Sequence, residues 1–526
     1  MSLDISILSH DPDFPGNVAL LDQVYSYDAA DGRLNATGES HTGIATAYYR
    51  EANSEFVQHT VTYEGTIAEA LASTESKWRK YFARHRDSEG RLLAVHNYHI
   101  GEDPMTTGWH QFGYDAQDRR TSEARDGDTV WEYGYNTRNE VTSASRKNAT
   151  GTALNGWQFA YAFDAIGNRL SSAGGHRTGT YTPNALNQYT AATTAGKVDI
   201  VGEVTTPDTT VWARRIQPPP TEAQAAPTQA TRQGSWFHRQ ITVDNATSPV
   251  DLQLNVKGIR AGGAAGDFVL DETGRVLVPK SNETFTYDDD GNMTGDSLWT
   301  YVWDAENRLR EVISRLSTTS GSYKKIQFAH DYANRMVRKE VWKWDAAAAS
   351  GAGAWVSEYR RYFVWQGWNI IAELEERKPA SGTYTGTATL LRRNVWGLDL
   401  SGSLQGAGGV GGLLAVQNHG GTAPQTTTPV YDGNGNILAY HTLTTGVKVA
   451  DFAYGPFGEP LKAYGSAAKN HPFRFSTKYT DEETGLVLYQ LRPYRPDLGR
   501  WLQKDRIGER GGANLYGMVG IKLCCG

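Results

Sequence analysis

Hydrophobic and polar residues alternate along short stretches of this chain, at the two-residue spacing that places every other side chain on one face of a β-strand. Residues 250–256 alternate in this way, and residues 236–238 and 241–243 do so over shorter lengths. No run of about 18 apolar residues occurs, so no membrane span is predicted. A looser pattern of helical spacing joins residues 66–82 through Ile67, Ala70, Leu71, Trp78 and Phe82, and it indicates a short helix.

One motif recurs between the strand-like stretches: an aromatic residue, Asp or Asn, two variable residues, then Gly, Asn or Asp, a polar residue and usually an aliphatic one. The Asp or Asn side chain accepts a backbone N–H two residues on, and Gly, Asn and Asp tolerate positive φ. Each copy therefore predicts a β-hairpin. Copies begin at Tyr114, Tyr135, Phe163, Tyr287, Trp303 and Tyr431, with looser copies at Tyr27, Arg86 and His330.

The recurrence of the aromatic partner separates this motif from the Asp-x-x-Gly turns that any β protein contains by chance. Successive copies begin 21 residues apart (114 to 135) and 16 residues apart (287 to 303), which is irregular for a propeller but natural for hairpins of varying length. The motif predicts an all-β fold with turns at Asp288–Gly291, Asp304–Asn307 and Asp432–Gly435.

Composition supports sheets with partly solvated faces, because 28 Tyr and 15 Trp occur in a chain of mean hydropathy −0.53. The net charge is −6 and the basic residues are scattered, so nucleic acid is not expected as a partner. Cys524 and Cys525 are adjacent, which suits neither a disulfide framework nor a zinc site. The sequence predicts no cofactor and no metal.

The C-terminal part carries longer and more specific motifs. It reads YGPFGE at 454–459, FRFSTK at 473–478, TGL at 484–486, LGRWL at 498–502 and DRIGERGGANLY at 505–516. Together with the aromatic-Asp repeats, these motifs resemble the Rhs family of YD-repeat proteins and its Rhs-associated core, which also occur in the C components of insecticidal toxin complexes and in teneurins. The resemblance covers roughly residues 25–519. It implies hairpins joined edge to edge into a spiralling, partly closed shell sheet.

Four regions are predicted along the chain. Residues 1–183 form a first repeat block, and 184–283 contain a proline-rich linker at 217–231 and a small inserted β module, for which a long surface loop is the alternative. Residues 284–453 form a second repeat block, and 454–526 form the Rhs-associated core, shortened at its C-terminal end. The glycine-rich residues 401–412 lack the Lys-Ser/Thr of a phosphate loop, so a tight bend is expected there.

In the family, some cores release their cargo by aspartyl self-cleavage, which needs two carboxylates that share a proton. The resemblance assigns Asp505 and Asp497 to this chemistry, with Arg500 between them as a supporting residue. Arg506 replaces the proline of the family's Asp-Pro-x-Gly, and the family's following segment and cleavage point are absent. We therefore expect a turn aspartate that is ion-paired with Arg500 and no cleavage.

Other candidate sites are weaker. His96, His99 and His110 lack a metal-binding spacing such as His-Glu-x-x-His, and surface histidines on strands are the expected interpretation. No Gly-x-Ser-x-Gly elbow marks a Ser/His/Asp triad, although a chain of this length could contain one.

The resemblance implies a structural encapsulation scaffold of the kind that carries C-terminal toxins. A polypeptide cargo or an adjoining shell protein is then the expected partner, and the location would be secreted or cell-surface, although residues 1–16 do not read as a signal peptide. Two alternatives stay open. One is a binding module whose exposed aromatic residues hold glycans or a protein partner, and the other is the self-cleaving core.

Overall fold

A computed structural model shows a chain built almost entirely of antiparallel β-strands. It describes residues 2–8, 19–39, 42–50, 57–72, 78–99, 107–125, 129–175, 177–204, 206–217, 228–262, 266–316, 323–379, 382–421 and 423–518. Most of the proline-rich linker and both cysteines lie outside the described residues. The all-β prediction is confirmed.

The first sheet contains sixteen strands among the described residues, and fifteen of them pair in chain order as successive hairpins. They are β1 Ser2–Leu8, β2 Ala19–Tyr27, β3 Leu34–Glu39, β4 Ile44–Arg50, β5 Val57–Glu64, β6 Trp78–Arg86, β7 Leu92–His99, β8 Thr107–Tyr114, β9 Arg120–Arg125, β10 Thr129–Tyr135, β11 Val141–Lys147, β12 Ala153–Phe163, β13 Arg169–Ala173, β14 Gly179–Pro183, β15 Tyr189–Thr193 and, after an insertion, β23 Asn282–Thr284.

The insertion between β15 and β23 forms two small sheets. Their strands are β16 Lys197–Glu203, β17 Thr210–Gln217, β18 Thr228–Gln229, β19 Thr231–Gln233, β20 Trp236–Thr242, β21 Val250–Arg260 and β22 Phe268–Val278. One sheet has the strand order β16–β20–β19 and the other β18–β17–β21–β22. The predicted inserted β module is confirmed as strands.

The second large sheet contains fourteen strands in chain order within the described residues. They are β24 Thr286–Tyr287, β25 Met293–Gly295, β26 Trp299–Trp303, β27 Leu309–Ser314, β28 Lys324–His330, β29 Met336–Asp345, β30 Ala354–Gln366, β31 Asn369–Arg377, β32 Thr389–Trp396, β33 Leu413–Asn418, β34 Gln425–Tyr431, β35 Ile437–Thr442, β36 Lys448–Tyr454 and β37 Pro460–Tyr464.

A C-terminal module, residues 465–518, follows the second sheet. Its four short strands pair in order: β38 Tyr479–Thr480, β39 Val487–Leu488, β40 Pro493–Arg495 and β41 Arg500–Trp501. Single 3-10 turns lie at Ala468–Asn470, Phe475–Thr477 and Gly508–Gly511, and another, Ala349–Gly351, joins β29 to β30. No helix in the described part of the chain has the length and apolar character needed to cross a membrane.

The predicted hairpin turns are confirmed at all three named positions. Gly291, Asn307 and Gly435 donate their backbone N–H to the carbonyl of the Asp three residues earlier, at 3.0, 2.9 and 3.3 Å. Their φ angles are +83°, +59° and +73°, in the left-handed region that the motif requires. The repeat also continues where the aromatic residue is missing, since Asn184 opens the same turn after Pro183.

The aromatic residue of the motif joins its repeat to the one before it. Tyr114 donates its hydroxyl to the carbonyl of Leu92 at 2.7 Å, and Tyr135 donates to Arg120 at 2.6 Å. Trp303 donates its indole N–H to Met293 at 2.7 Å. Each acceptor begins the strand that follows the preceding turn, so the ring packs on the sheet while its polar atom satisfies a backbone carbonyl.

The two large sheets pack against each other around a shared core. Asn97 of β7 exchanges hydrogen bonds with the backbone of Tyr431 of β34, at 2.9 and 3.0 Å. The rings of Phe82 and Tyr431 meet edge to face, with centroids 5.8 Å apart. Leu498 and Leu502 of the C-terminal module are fully buried in the same core. The module is therefore part of the packed interior rather than an appendage.

The helix expected over residues 66–82 is largely wrong. Only α1, Ile67–Leu71, is helical, and it begins at a capping box in which Thr66 and Glu69 bind each other's backbone N–H. Trp78 and Phe82 instead lie in β6, where Phe82 pairs with Thr60 of β5. Long-range pairing in the sheet outweighs the local helical spacing because a five-residue helix has little stability of its own. The bend expected at residues 401–412 is confirmed as consecutive turns around the carboxylate of Asp399.

Candidate functional site

Asp497, one of the two predicted catalytic carboxylates, is held between two arginines. It follows β40 and accepts hydrogen bonds from Arg495 at 3.0 Å and from Arg177 of the first sheet at 2.9 Å. Burial raises the pKa of Asp497, but attraction to the two guanidinium groups outweighs burial and lowers the pKa to about 2. This carboxylate is therefore ionised at neutral pH and ties the C-terminal module to the first sheet.

Asp505, the other candidate, is a turn aspartate, as expected. Its carboxylate accepts the backbone N–H of Ile507 at 3.0 Å, and its carbonyl accepts the N–H of Gly508 at 3.0 Å. The second carboxylate oxygen lies 2.9 Å from the guanidinium of Arg492. The partner is thus Arg492, not Arg500.

The predicted ion pair between Asp505 and Arg500 is wrong because Arg500 points into the first sheet. Its side chain is buried and donates to the backbone carbonyl of Asn187. Its guanidinium lies over the rings of Tyr189 and Tyr516, at 3.8 and 5.0 Å from the ring centroids. Cation–π contact and one hydrogen bond make Arg500 a docking residue of the module.

The geometry does not bring the two aspartates together as a proton-sharing pair. Each carboxylate has its own arginine partners, and within the described residues no hydrogen bond joins them. A shared proton requires two carboxylates in direct contact. The catalytic assignment of Asp505 and Asp497 stays a prediction, and the contacts present are those of structural ion pairs.

The histidine interpretation is wrong in one respect. His99 and His110 are buried, at 1% and 2% exposure. His110 binds Glu123 at 2.8 Å, and His99 packs against His441 of the second sheet with ring centroids 4.5 Å apart. The contact between His99 and His441 could not be predicted from the sequence, because the two residues are 342 positions apart (441 − 99). Across the described ranges, no three His, Cys, Asp or Glu side chains gather as a metal site would need.

Seven of the repeat turns fall into two sets that differ in the residue after the positive-φ position. In four turns, which we call the Arg turns, this residue is arginine: residues 87–91, 115–119, 304–308 and 331–335. Arg119 lies 2.7 Å from Asp115 of its own turn and donates to the carbonyl of Asn136 in the next turn at 3.2 Å. Arg308 makes the same two contacts, with Asp304 and with the carbonyl of Asp331.

In three other turns, the Asn turns, a Gly-Asn pair replaces this arrangement: residues 164–168, 288–292 and 432–436. The asparagine amide donates to the turn Asp at 2.8 to 2.9 Å, and Asn168, Asn292 and Asn436 are all buried. These two sets were not distinguished at the level of sequence, although the signal is the residue four positions after Asp.

Two of the three Asn turns receive buried or partly buried hydrogen bonds from the C-terminal module. The side chain of Asn436 accepts the backbone N–H of Ser476 at 2.8 Å, and the carbonyl of Gly291 accepts the hydroxyl of Tyr516 at 2.7 Å. A Cβ at Gly291 would lie 2.7 Å from that hydroxyl oxygen. Glycine is thus required there for close approach as well as for its positive φ.

Buried ion pairs add a second set of docking contacts. Lys339 of β29 is fully buried and binds Asp481 and Glu483 of the module. Arg495 binds Asp296, which lies in the loop between β25 and β26. Because removal of one partner would leave an uncompensated buried charge, these pairs fix the position of the module on the sheet.

No protein-family model matches the chain. The sequence is 25% identical over 231 residues to the tRNA3(Ser)-specific nuclease WapA of Bacillus spizizenii, which covers 44% of this chain and 8% of the relative. It is 24% identical over 257 residues to the double-stranded DNA deaminase toxin A of Burkholderia cenocepacia, covering 46% and 16%. The matches therefore span less than a fifth of these relatives.

Among solved structures, the TcdB2-TccC3 crystal structure aligns with 96% of this chain and 28% of its own, at 13% identity and a TM-score of 0.36. The Photorhabdus luminescens Tc holotoxin pore aligns with 98% of this chain and 26% of its own, at 13% identity and a TM-score of 0.34.

The interlocked turns and the linking aromatic residues define a class of protein: an all-β YD-repeat chain whose sheets are built hairpin by hairpin. Within that class, the recurrent motif and the core motifs at residues 454–516 resemble those of Rhs proteins, and the chain is similar over less than half of its length to the nuclease WapA and to the deaminase toxin.

Proposed function

We propose that this chain is a structural shell segment of an Rhs-type toxin-delivery protein, with no catalytic role of its own. One observation carries the proposal: the repeat turns are bonded to one another, and a C-terminal module is locked onto them by buried hydrogen bonds and ion pairs. The polar groups of the module serve this attachment. Such an arrangement gives a rigid wall, which is what enclosure of a polypeptide needs.

The two relatives support a carrier role for this chain. One is named as a tRNA nuclease and the other as a DNA deaminase, and the matched part is a small fraction of each. Because the two named chemistries differ, similarity of one chain to both is best explained if the matched parts carry rather than react. The proposed partners are a polypeptide cargo and an adjoining shell protein, and the proposed location is secreted or cell-surface.

Enclosure is tested by fusing a reporter segment with a single protease site after residue 526 and measuring its cleavage rate against the same segment free in solution. Slower cleavage that becomes fast when the shell is unfolded supports enclosure. Cleavage at the rate of the free segment would contradict enclosure by this chain.

Absence of self-cleavage is tested separately. Purified protein is incubated from pH 4 to pH 8 and compared by intact mass with Asp505→Asn and Asp497→Asn. We expect only intact chains in all three samples. A discrete fragment that forms in the parent protein and is missing from a mutant would identify an autoprotease and overturn the structural assignment of the two aspartates.

A further inference from the structure

Strand β22 has an open edge. It pairs with β21 over all eleven of its residues, from Phe268 opposite Arg260 to Val278 opposite Val250. In the order β18–β17–β21–β22, it is the last strand of its sheet, and no other described strand pairs with its outer side. Its outward backbone N–H and C=O groups are therefore available to a further strand.

This edge lacks most of the usual protection against pairing. Natural edge strands are kept apart by charged side chains, by proline, by a bulge, by short length or by a covering element, and of these β22 has only the charged side chains at its centre. β22 contains no proline, runs in unbroken register with β21, and is exposed from Phe268 to Arg275. Phe268, Val269 and Leu270 expose more than half of their surface, at 57%, 55% and 53%. An exposed apolar edge of this kind either binds a partner strand or promotes aggregation.

The sequence of β22 is complementary to itself when read in the opposite direction. It runs FVLDETGRVLV, with an apolar triplet at each end and an acidic and a basic residue placed symmetrically about Thr273. An antiparallel pairing centred on Thr273 places Asp271 opposite Arg275 and brings each apolar triplet opposite the other. The cross-strand pairs are Phe268 with Val278, Val269 with Leu277, Leu270 with Val276, Asp271 with Arg275, and Glu272 with Gly274.

This register satisfies the geometry of a sheet on both faces. Directly opposite residues in an antiparallel pair lie on the same face, and opposite charges there stabilise while like charges destabilise. The two-fold axis through Thr273 generates the Asp271–Arg275 pair twice. A shift by one residue would set outward backbone groups opposite inward ones, and a shift by two residues loses both charge pairs, so the pattern specifies one alignment.

The charged side chains already have partners within the chain but keep hydrogen-bonding capacity for these contacts. Asp271 lies 3.0 Å from Lys257 of β21 and is 48% exposed, and Arg275 lies 2.6 Å from Asp251 and is 41% exposed. Both partners stand on the β21 side. Because a carboxylate accepts several hydrogen bonds and a guanidinium donates five, each group retains capacity toward the outer side.

We propose that β22 pairs edge to edge with β22 of a second copy of this chain, forming a two-fold symmetric dimer in which the two four-stranded sheets become one eight-stranded sheet. Self-complementarity in charge and hydropathy is what an isologous interface requires, and it is the reason for choosing a second copy over an unrelated strand. One strand pair is a small interface, so the dimer is expected to be weak and dependent on concentration.

Charge reversal tests the register. The mass of the 57.9 kDa chain is followed by sedimentation velocity across a concentration series, for Asp271→Arg and Arg275→Asp separately and mixed. Each single variant places two like-charge pairs across the axis and should weaken dimerisation by about tenfold. The equimolar mixture should recover it, because a heterodimer restores both opposite-charge pairs.

Recovery in the mixture would show that the single variants lose dimerisation through contacts between chains. Changes within each chain are the same with or without the other variant, so they cannot explain a recovery. Asp267→Arg is the matched control, because residue 267 faces Pro279 in this register and should leave dimerisation unchanged. Parent protein that stays monomeric at every concentration would overturn the proposal, and so would a mixture no better than the single variants.

Disulfide trapping tests the axis directly, in a background carrying Cys524→Ser and Cys525→Ser. Thr273→Cys places two thiols opposite each other across the axis, at a backbone spacing that a disulfide can span. Leu270→Cys faces Val276 and cannot pair with its own copy. We expect cross-linked dimer from Thr273→Cys and little from Leu270→Cys. Equal cross-linking of the two variants would indicate collision rather than a defined strand pair and would contradict the proposed dimer.

Discussion

The Arg turns and the Asn turns have the same backbone but opposite surroundings. Gly90 of an Arg turn and Gly291 of an Asn turn share a φ of +83°. A Cβ at Gly90 would meet nothing within 4 Å, whereas a Cβ at Gly291 would collide with Tyr516. The same backbone turn is therefore used in two settings. With arginine it is partly exposed and bonds to the next turn. With Gly-Asn the asparagine is buried, and at Gly291 and Asn436 the turn also binds the C-terminal module.

Solvation should make the two sets of turns contribute differently to stability. The arginine side chains of the Arg turns keep 19% to 29% of their surface exposed, so each ion pair contributes little by itself. The amides of the Asn turns are buried, and a buried polar group left without its partner costs about 1–3 kcal/mol. Changes at the Asn turns should therefore be more destabilising than the same changes at the Arg turns.

The largest difference is expected for valine in place of glycine. Gly291→Val combines a strained positive φ with a clash against Tyr516 and should lower the free energy of unfolding by about 3 kcal/mol. Gly90→Val carries only the strain and should cost about 1 kcal/mol. Urea denaturation of both variants measures the difference. Equal losses would show that the contact with Tyr516 contributes nothing.

A smaller difference is expected for the closing residue itself. Asn436→Ala removes the acceptor of the Ser476 N–H and the donor to Asp432, and it should cost about 2 kcal/mol. Arg119→Ala removes a partly exposed ion pair and should cost about 0.5 kcal/mol. Thermal unfolding ranks the two variants. A larger loss for Arg119→Ala would reverse the assignment of the Asn turns as docking sites.

A further effect is expected outside the turns, at Asp497, and it depends on pH. Its pKa is about 2 in the folded chain, below its ordinary value of 3.8. The ionised carboxylate therefore stabilises the fold above about pH 4, and this contribution is lost as the pH falls toward 2. After allowance for the partial exposure of the side chain, the contribution is about 1 kcal/mol. In Asp497→Asn, the free energy of unfolding should fall less steeply between about pH 4 and pH 2 than in the parent protein. An unchanged slope would contradict the prediction.

The turns could be predicted from the sequence because their determinants are local. Asp304 and Asn307 lie within one turn, and the side chain of the first and the φ of the second are set by neighbours in the chain. The division into Arg and Asn turns can also be read locally, at positions such as Arg308 and Asn292. Which part of the chain packs against each turn cannot be read locally, because it depends on contacts between residues that are distant in sequence.

The partners of the C-terminal residues could not be predicted for the same reason. Arg500 lies five residues before Asp505, and this closeness in sequence predicts an ion pair between them. Arg500 instead binds Asn187, 313 residues away in sequence (500 − 187). Residues 66–82 show the same limit in reverse. The short helix that does form has a local determinant, its capping box, whereas Trp78 is held in β6 by pairing with Tyr63 of β5.

The central claim is that the Asn turns hold the C-terminal module, and hydrogen exchange tests it most directly. Mass spectrometry of the full chain would compare Gly291→Val with Gly90→Val and the parent protein. The account predicts that Gly291→Val loses protection across residues 465–518 and the turn at 288–292, while the Arg turns at 87–91 and 115–119 exchange as in the parent. Unchanged protection of residues 465–518 in Gly291→Val would contradict the claim.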